Sequence, residues 1–290
     1  MSDAVSLEWG AVSCVLNAAE FERIRRLAYD HFGLDLRQGK EELVRARLGR
    51  QIRKAKLLSF DEYCRYVMAD RTGQALAVMI DSLTTNFTGF FREPGHFEFF
   101  REEVLPRLRS RSLVRFWSAA CATGEEPYTL AMCILEELGG AAATRAQIVA
   151  TDFSTRALEV ARQGIYTTQR CDGIPAALAR RYLLRGEGDR KGWFRVKPEL
   201  CRMVQFRRLN LIEGHAHLGA FSLILCRNVM IYFDRPTRER LVRRIVASLE
   251  PGGYLFVGHA ESLTGLEQPL AYVRPAIYRK PDGGRGPAKP

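Results

Sequence analysis

The chain has 290 residues, of which 47% are hydrophobic and 27% charged, a balance that is ordinary for a globular protein. No apolar run approaches the ~18 residues needed to cross a bilayer, and no secretory signal is evident at the N-terminus. The net charge of +11 permits an acidic protein, a nucleic acid or an anionic membrane surface as partner, and charge alone does not choose among them.

The seven cysteines are widely spaced and form no C-x-x-C pair. An odd number at wide spacing favours reduced thiols in the cytoplasm over disulfides or a zinc site. His215 and His217 form no convincing metal-binding pattern either. We therefore expect a cytoplasmic protein without a bound metal.

The first 85 residues have the apolar spacing of several helices and predict a small helical domain. In the helix expected over residues 39–57, one face is apolar and the opposite face carries Arg47, Arg50 and Lys54. Residues 37–56 contain eight basic and two acidic side chains. This surplus could be a solvated helix face, as most charge runs are, or a surface that docks an acidic partner.

The segment 113–132, LVRFWSAACATGEEPYTLAM, predicts a strand, a turn and the beginning of a helix. The small residues 118–123 let the backbone turn closely, and Pro127 suits the first turn of a helix. In α/β proteins such a turn lies at the carboxyl edge of the sheet, where nucleotide-like ligands bind.

Two glutamates indicate what kind of ligand this turn would bind. The turn has only Gly124 and matches neither G-x-G-x-x-G nor G-x-x-x-x-G-K-[ST], so a pyrophosphate cradle is not expected. Glu125 and Glu126 suit a cationic group, such as a sulfonium or an ammonium. Alternatively, their only role could be to stabilise the helix by interacting with the positive end of its dipole.

A second strand is predicted over Ala146–Asp152, with Asp152 at its tip. An acid at this place holds a ribose hydroxyl in nucleotide-binding βαβ units. Asp152 could equally cap the helix that begins near Thr155. The two turns together indicate a cationic cofactor that contains adenosine, and S-adenosylmethionine fits both.

Five segments carry a more specific resemblance. In chain order they are TTNFTGFFREPGHF (84–97), RFWSAACATGEEPYTLAM (115–132), ATDFSTRALEVARQGIY (150–166), LILCRNVMIYFD (223–234) and PGGYLFVGHAESL (251–263). Together they resemble the CheR family, the methyltransferases that esterify glutamates on bacterial chemotaxis receptors. The similarity extends over about residues 20–280.

The resemblance implies an α/β fold, in which a Rossmann-like S-adenosylmethionine-dependent methyltransferase domain (86–280) follows an N-terminal all-helical domain (1–85). It also implies a small inserted antiparallel β-subdomain at about 165–206, where Gly186, Gly188 and Gly192 predict a hairpin. Residues 281–290 are rich in Gly and Pro, and we expect a disordered tail.

The family's cofactor contacts carry over to positions that match its motifs, namely Asn86, Thr88, Arg92, Asn210, Leu211, Arg227 and Asn228. Glu125 and Asp152 complete the expected cofactor site. The resemblance also implies that Arg92 and Tyr232 lie beside the methyl acceptor. A guanidinium such as that of Arg92 can donate two parallel hydrogen bonds to a carboxylate. Arg92 could instead form an ion pair with an acid such as Glu93, and Tyr232 could be a core aromatic.

The resemblance also implies the chemistry and the partner. A glutamate side chain, with a reference pKa of ~4.3, is already ionised at neutral pH, so a sulfonium can methylate it without a general base. The products would be a methyl ester and S-adenosylhomocysteine.

The partner would be the cytoplasmic helical region of a chemotaxis receptor, docked by Arg47, Arg50 and Lys54. In some family members the β-subdomain also binds a peptide at the receptor's C-terminus. Here the subdomain could instead only stabilise the domain and bind no partner.

Two other functions fit the sequence less well. A nucleic-acid methyltransferase would suit the basic charge, but residues 227–230 (RNVM) stand where an N/D-P-P-Y type motif would be, and no Pro-Cys nucleophile occurs. A non-catalytic module that binds the cofactor or a receptor is disfavoured because the expected site residues are present together. We therefore expect no nucleic-acid partner and no direct membrane insertion.

If the basic helix docks the receptor, the double change Arg50→Glu and Lys54→Glu will weaken binding of a receptor cytoplasmic fragment roughly tenfold, because each exposed ion pair contributes up to ~1 kcal/mol and reversal adds repulsion. Calorimetry with the fragment measures this, and unchanged affinity for S-adenosylmethionine is the control. Receptor affinity equal to that of the wild type would show that this face is merely solvated.

Overall fold

The computed structural model describes residues 15–84 and 88–282, and the chain divides into two compact units, Met1–Thr85 and Asn86–Pro290. The predicted cofactor residue Asn86 lies outside the described residues, as does the predicted tail from residue 283 onward. None of the helices in the described ranges is both long enough and apolar enough to cross a membrane.

The first unit is all-helical, as predicted. Its described part contains α1 (Ala18–Phe32), α2 (Glu41–Lys54), α3 (Phe60–Ala69) and α4 (Gln74–Leu83). Local capping explains where two of these begin: the side chain of Asn17 accepts a hydrogen bond from the backbone N–H of Glu20. The Ser59 side chain does the same for Glu62 at the start of α3.

The basic helix α2 buries the apolar face that the sequence predicted. Arg50 and Lys54 are exposed, whereas Arg47 is half-buried. The guanidinium of Arg47 donates a hydrogen bond to the carbonyl oxygen of Leu83, at 2.7 Å. Arg47 therefore also links α2 to the end of α4, and the docking role of the three residues stays a prediction.

The second unit alternates strands and helices. Its strands are β1 (Val114–Ala119), β2 (Ala146–Asp152), β3 (Ile165–Thr167), β4 (Leu183–Arg185), β5 (Trp193–Val196), β6 (Val204–Arg208), β7 (Phe221–Cys226), β8 (Leu249–Val257), β9 (Ala271–Arg274) and β10 (Ile277–Arg279). Its helices are α5 (Pro94–Phe99), α6 (Leu105–Leu108), α7 (Glu125–Ala143), α8 (Thr155–Gln163), α9 (Thr168–Cys171), α10 (Ala176–Tyr182), α11 (Pro198–Cys201) and α12 (Arg235–Ala247). A π-helical turn, Phe100–Val104, joins α5 to α6, and 3₁₀ turns span Gly188–Arg190, Ala216–Leu218 and Met230–Tyr232.

The main sheet has the strand order β6-β2-β1-β7-β8-β10-β9. The strands from β6 to β8 are parallel, while β10 is antiparallel to both β8 and β9. The chain leaves β1 towards β2 on one side and later returns to β7 on the other side of β1. The crevice at the carboxyl ends of β1 and β7 is therefore the topological switch point, where open α/β sheets bind ligands. This arrangement confirms the predicted Rossmann-like fold.

The inserted β-subdomain is a separate sheet of three antiparallel strands in the order β3-β5-β4. Strands β4 and β5 form the predicted hairpin around the glycines of residues 186–192. The insertion ends before Val204, because β6 already pairs with β2 of the main sheet.

Two cores cover the two faces of the main sheet. Neighbouring residues of a strand point to opposite faces, so Phe116 packs in one core and Trp117 in the other. Ile148 and Val149 divide in the same way. Helices α5 and α7 cover the first face and α12 the second. Because parallel strands are buried on both faces, they read in the sequence as continuous apolar runs.

His215, which shows no metal pattern in the sequence, is a core residue beside Trp117, with ring centroids 4.8 Å apart. Burial, together with Arg244 and His217, lowers its pKa to about 4. In the unfolded chain its pKa is ~6.5, so below that pH the unfolded state takes up a proton that the native state refuses. This contribution to stability is full above pH ~6.5 and is lost as the pH falls towards about 4.

We expect His215→Phe to flatten the fall in unfolding free energy over this pH window, by up to about 1.4 kcal/mol per pH unit. Denaturant unfolding of the full chain, followed by tryptophan fluorescence at several pH values, measures the slope. His31→Gln, which changes an exposed histidine, is the control. An unchanged slope in His215→Phe would contradict the assignment.

Candidate active site

The turn after β1 has an unusual backbone. Ala120, Ala122 and Gly124 have φ values of 66°, 47° and 96°, in the left-handed region that side chains disfavour. At Gly124 a Cβ atom would lie 2.8 Å from the Cβ of Ala161 on α8. A glycine is required there both by its conformation and by the close approach of α8.

Asp152, at the tip of β2, links two turns of this edge. Its Oδ2 accepts a hydrogen bond from Ala122 N at 2.8 Å, and its Oδ1 accepts one from Ser154 N at 2.8 Å. The N-cap of α8 is Ser154, whose Oγ accepts from Ala157 N at 3.1 Å. Asp152 is therefore not the N-cap of α8, which was one of its two possible roles, and its carboxylate lies at the tip of β2.

Beside Asp152, the ends of β2 and β6 border a cavity of about 340 Å³. It is lined by Phe153, Arg208, Leu209, Asn210, Glu213, Gly214 and His217. The Arg208 guanidinium lies 5.2 Å from the centre of the Phe153 ring, and Asn210 Nδ2 donates to Glu213 Oε1 at 3.0 Å. Rings, amides and carboxylates around one cavity suit a planar polar group such as a purine. Leu211 is buried in the second core.

The two glutamates at the start of α7 have different surroundings. Glu125 is fully buried, and its Oε1 lies 2.5 Å from Nη2 of Arg170, which α9 of the inserted subdomain carries. Its Oε2 accepts a hydrogen bond from Thr123 Oγ1 at 2.7 Å. Burial raises the pKa of Glu125, and the nearby Arg170 opposes that shift. The charge of Glu125 is thus already balanced from within the protein.

Glu126 lies at the switch point itself. Its Oε1 accepts from Ser118 Oγ at 2.7 Å, and its Oε2 from Arg227 Nη1 at 2.8 Å. Ser118 belongs to β1 and Arg227 directly follows β7, so the Glu126 carboxylate lies between the ends of these two strands. Of the two glutamates, it is the one that borders the crevice.

Arg227 was predicted to contact the cofactor, and its side chain makes buried contacts with the protein. Besides Glu126, its Nη2 donates to the carbonyl oxygen of Arg92 and, at 3.1 Å, to Glu93 Oε2. Only 2% of the side chain is exposed. Arg227 therefore fastens residues 88–93, hereafter the lid segment, to the sheet edge, and its contact with a cofactor stays a prediction.

The lid segment packs closely on this domain. Phe91, with a φ of 52°, donates its N–H to Thr129 Oγ1 of α7 at 3.2 Å. Phe90 is buried, edge-on to Tyr166 at 5.1 Å. Thr88 and Arg92 are half-buried within the segment. Their predicted contacts stay predictions.

Glu261, which no sequence motif marked as a site residue, organises the opposite wall of the crevice. Its Oε2 accepts hydrogen bonds from Asn228 N at 2.8 Å and Gly258 N at 2.7 Å, and its Oε1 accepts one from Ile231 N at 3.2 Å. Burial raises its pKa, against the lowering effect of these backbone donors. Asn228 Nδ2 also donates to Glu93 Oε1, at 3.3 Å. The turn after β7 is thus tied both to β8 and to the lid segment.

Tyr232 ends the 3₁₀ turn Met230–Tyr232, half-buried against the second core. The turn that carries it is the one that Glu261 fixes. Tyr232 and Arg92 therefore lie on two segments that Asn228 and Glu93 connect. Their roles beside a methyl acceptor stay predictions.

Comparison with known proteins agrees with this geometry. The family model described as CheR methyltransferase, all-alpha domain, matches residues 19–84, and the one described as CheR methyltransferase, SAM binding domain, matches residues 86–277. Chemotaxis protein methyltransferase 2 of Pseudomonas aeruginosa is 40% identical over 260 residues, which cover 89% of this chain and 92% of the relative.

Two further relatives match over similar lengths. The chemotaxis protein methyltransferase of Escherichia coli is 39% identical, over 91% of each chain. That of Borreliella burgdorferi is 37% identical, over 90% of this chain and 94% of the relative. The protein belongs to the CheR methyltransferase family, and its second unit is an S-adenosylmethionine-binding domain.

Proposed function

We propose that this protein transfers the methyl group of S-adenosylmethionine to glutamate side chains of chemotaxis receptors, giving methyl esters and S-adenosylhomocysteine. The observation that carries the proposal is the pair of carboxylates at the carboxyl edge of the sheet, Glu126 at the switch point and Asp152 at the tip of β2. These two carboxylates suit a cationic adenosyl cofactor, since one can attract the positive charge and the other can accept ribose hydroxyls, whereas a phosphate ligand would be repelled by them.

The residues present fit the cofactor part by part. Asp152, fixed by two backbone N–H groups, is oriented to accept bonds from ribose hydroxyls. The cavity next to it, with Asn210 on its rim, suits the adenine. When bound, the cofactor supplies an electrophilic methyl group on a sulfonium. Thr88, Arg92, Leu211, Arg227 and Asn228 remain proposed contacts.

Glu126 is the better candidate than Glu125 for the cationic end of the cofactor. Glu125 faces Arg170 and is fully buried, so an added cation would have to displace an existing ion pair. Glu126 shares the Arg227 guanidinium with Glu93, so these three groups together carry one negative charge that a cation can complement. We keep Glu125 as a neighbour that shapes the turn.

The chemistry requires alignment rather than proton transfer. The acceptor glutamate is already an anion, so the protein must hold its oxygen in line with the methyl carbon and sulfur, which can remove ~7–11 kcal/mol of the barrier. Arg92 and Tyr232 would donate hydrogen bonds to this carboxylate as it loses its water. No histidine is needed as a base in this scheme.

The finer partner assignments are also proposals. We propose that a helical domain of residues 1–85 docks the cytoplasmic helical region of the receptor through Arg47, Arg50 and Lys54, and that residues 86–280 perform the reaction. The side chains of Arg50 and Lys54 are exposed and that of Arg47 is half-buried. On the inserted subdomain, Leu184 and Trp193 are exposed apolar side chains of neighbouring strands, which suit a receptor C-terminal peptide. A cytoplasmic location follows from this partner.

One assay tests the function against its rivals. The protein is incubated with methyl-labelled S-adenosylmethionine and either a receptor cytoplasmic fragment or nucleic acid. Base-labile label on the receptor fragment, abolished when its acceptor glutamates are changed to glutamine, is the expected result. Label only on nucleic acid would overturn the proposal, as would cofactor binding without transfer to either.

Asp152→Ala should weaken S-adenosylmethionine binding roughly tenfold to a hundredfold, because loss of a half-buried carboxylate that accepts hydrogen bonds costs about 1–3 kcal/mol. Calorimetry measures this. Asp152 also bonds Ser154 N, so Ser154→Ala, which removes only the cap of α8, is the matched control. Equal cofactor affinity in the Asp152 variant would contradict the ribose assignment.

Changing each glutamate to glutamine separates the contributions of Glu125 and Glu126 to cofactor binding. We expect Glu126→Gln to weaken binding of S-adenosylmethionine at least tenfold and Glu125→Gln to weaken it less, because Arg170 is one-third exposed and can turn to water. Thermal melting of both variants controls for folding, since Glu126→Gln also removes a buried charge. A larger loss of affinity in Glu125→Gln would restore the assignment made from the sequence.

A further inference from the structure

Three side chains converge at the end of the lid segment, and none of them is a proposed contact of the cofactor or the methyl acceptor. Glu93 precedes α5, His96 lies within α5, and His259 follows β8. One ligand atom from each lies within 4.8 Å of the other two. Glu93 Oε2 is 3.4 Å from His96 Nδ1 and 4.0 Å from His259 Nε2.

His96 is the unexpected member of this group. Only 1% of the residue is exposed, yet neither ring nitrogen has a hydrogen-bond partner of good geometry among the described residues. Buried polar atoms without partners are rare and unfavourable. A neutral imidazole keeps a lone pair on one ring nitrogen, which is the atom that a metal ion binds.

The rings are held in a suitable orientation. His96 stacks on Phe256, with centroids 5.2 Å apart and planes inclined by 26°. The ring of His259 stands edge-on to it at 5.0 Å. The His259 side chain is 55% exposed, so an ion could enter from that side and keep water in an open coordination position.

The local charge permits a cation but limits its affinity. Arg227 Nη2 lies 3.1 Å from the same Glu93 Oε2, and one carboxylate oxygen can accept a guanidinium and also bind a metal ion. Glu126, 2.8 Å from Arg227, balances this guanidinium. Arg274, whose guanidinium donates to the carbonyl oxygen of Gly95 beside His96, adds a second positive charge. The four charged groups sum to zero, so we expect micromolar rather than tighter binding.

We propose that Glu93, His96 and His259 form a binding site for a divalent transition-metal ion, best fitted by Zn²⁺. Two imidazoles and one carboxylate, with a water in the fourth position, form an open tetrahedral zinc set with bonds of about 2.0–2.2 Å. The exposed His259 has to move inward by roughly an ångström to close it. The bound ion would tie α5 and the lid segment to the end of β8. This proposal departs from our expectation of no metal, which rested on spacing along the sequence.

Titration of the metal-free full chain with Co²⁺ tests the site, with Zn²⁺ as competitor. We expect one ion per chain, weak visible bands typical of nitrogen and oxygen ligands, displacement by Zn²⁺, and a higher melting temperature with Zn²⁺ present. His259→Ala should lower metal affinity at least tenfold, since loss of even an outer-shell partner has that effect. His31→Ala, at an exposed histidine of α1 outside the cluster, should bind metal as the wild type does.

A second variant guards against misfolding. His96→Phe preserves the ring stacked on Phe256 and removes both nitrogens, and it should also lose the metal. The proposal is overturned if the wild type binds no metal at micromolar concentration, or if both cluster variants bind it as the wild type does. An intense sulfur-to-cobalt band would overturn it as well, by assigning the ion to a cysteine.

Discussion

The buried guanidinium of Arg227 is the interaction on which the rest of this site depends. It joins Glu126 of α7, Glu93 of the lid segment and the carbonyl oxygen of Arg92, while Glu126 is bonded in turn to β1 through Ser118. Buried ion pairs of this kind add little net stability, but loss of one partner leaves an unpaired charge at a cost of about 3–5 kcal/mol. The network therefore defines one position of the lid segment against the sheet edge.

Around this network, carboxylates that accept backbone N–H groups hold the turns in place, where many other nucleotide-binding sites use a glycine-rich turn. Asp152 fixes the turn after β1 and Glu261 fixes the turn after β7, each by accepting backbone N–H groups. Five non-glycine residues with positive φ lie on these turns and the lid segment, namely Phe91, Glu93, Ala120, Ala122 and Asn228. Such conformations cost about 1–3 kcal/mol each and persist only where surrounding bonds hold them. The result is a rigid pocket edge with anionic groups on both sides of the switch point.

That electrostatic design suits the proposed reaction. A cationic cofactor and an anionic acceptor attract one another, and the protein has to place them in line without neutralising either. Arginine and glutamate side chains that are already paired with each other provide fixed dipoles and little net charge, so neither reactant is bound too strongly by one group alone. The same packing buries His96 against Phe256 of β8, where neither ring nitrogen has a hydrogen-bond partner among the described residues, which suits His96 to the proposed metal site.

The resemblance of the sequence to the CheR family implied the β-subdomain, and the sequence by itself determined the α/β class and the ends of the strands that form the site. It could do so because hydrophobic runs, small-residue turns and strand-end acids are local patterns, and parallel strands bring their carboxyl ends to one edge whatever the distances along the chain. Only the tertiary structure decided which glutamate borders the crevice. Successive helix residues point about 100° apart, so Glu125 turns to Arg170 while Glu126 turns to Arg227. Glu261 as a hub and the Glu93–His96–His259 cluster likewise arise from segments far apart in sequence, and no local pattern encodes which side chains will meet.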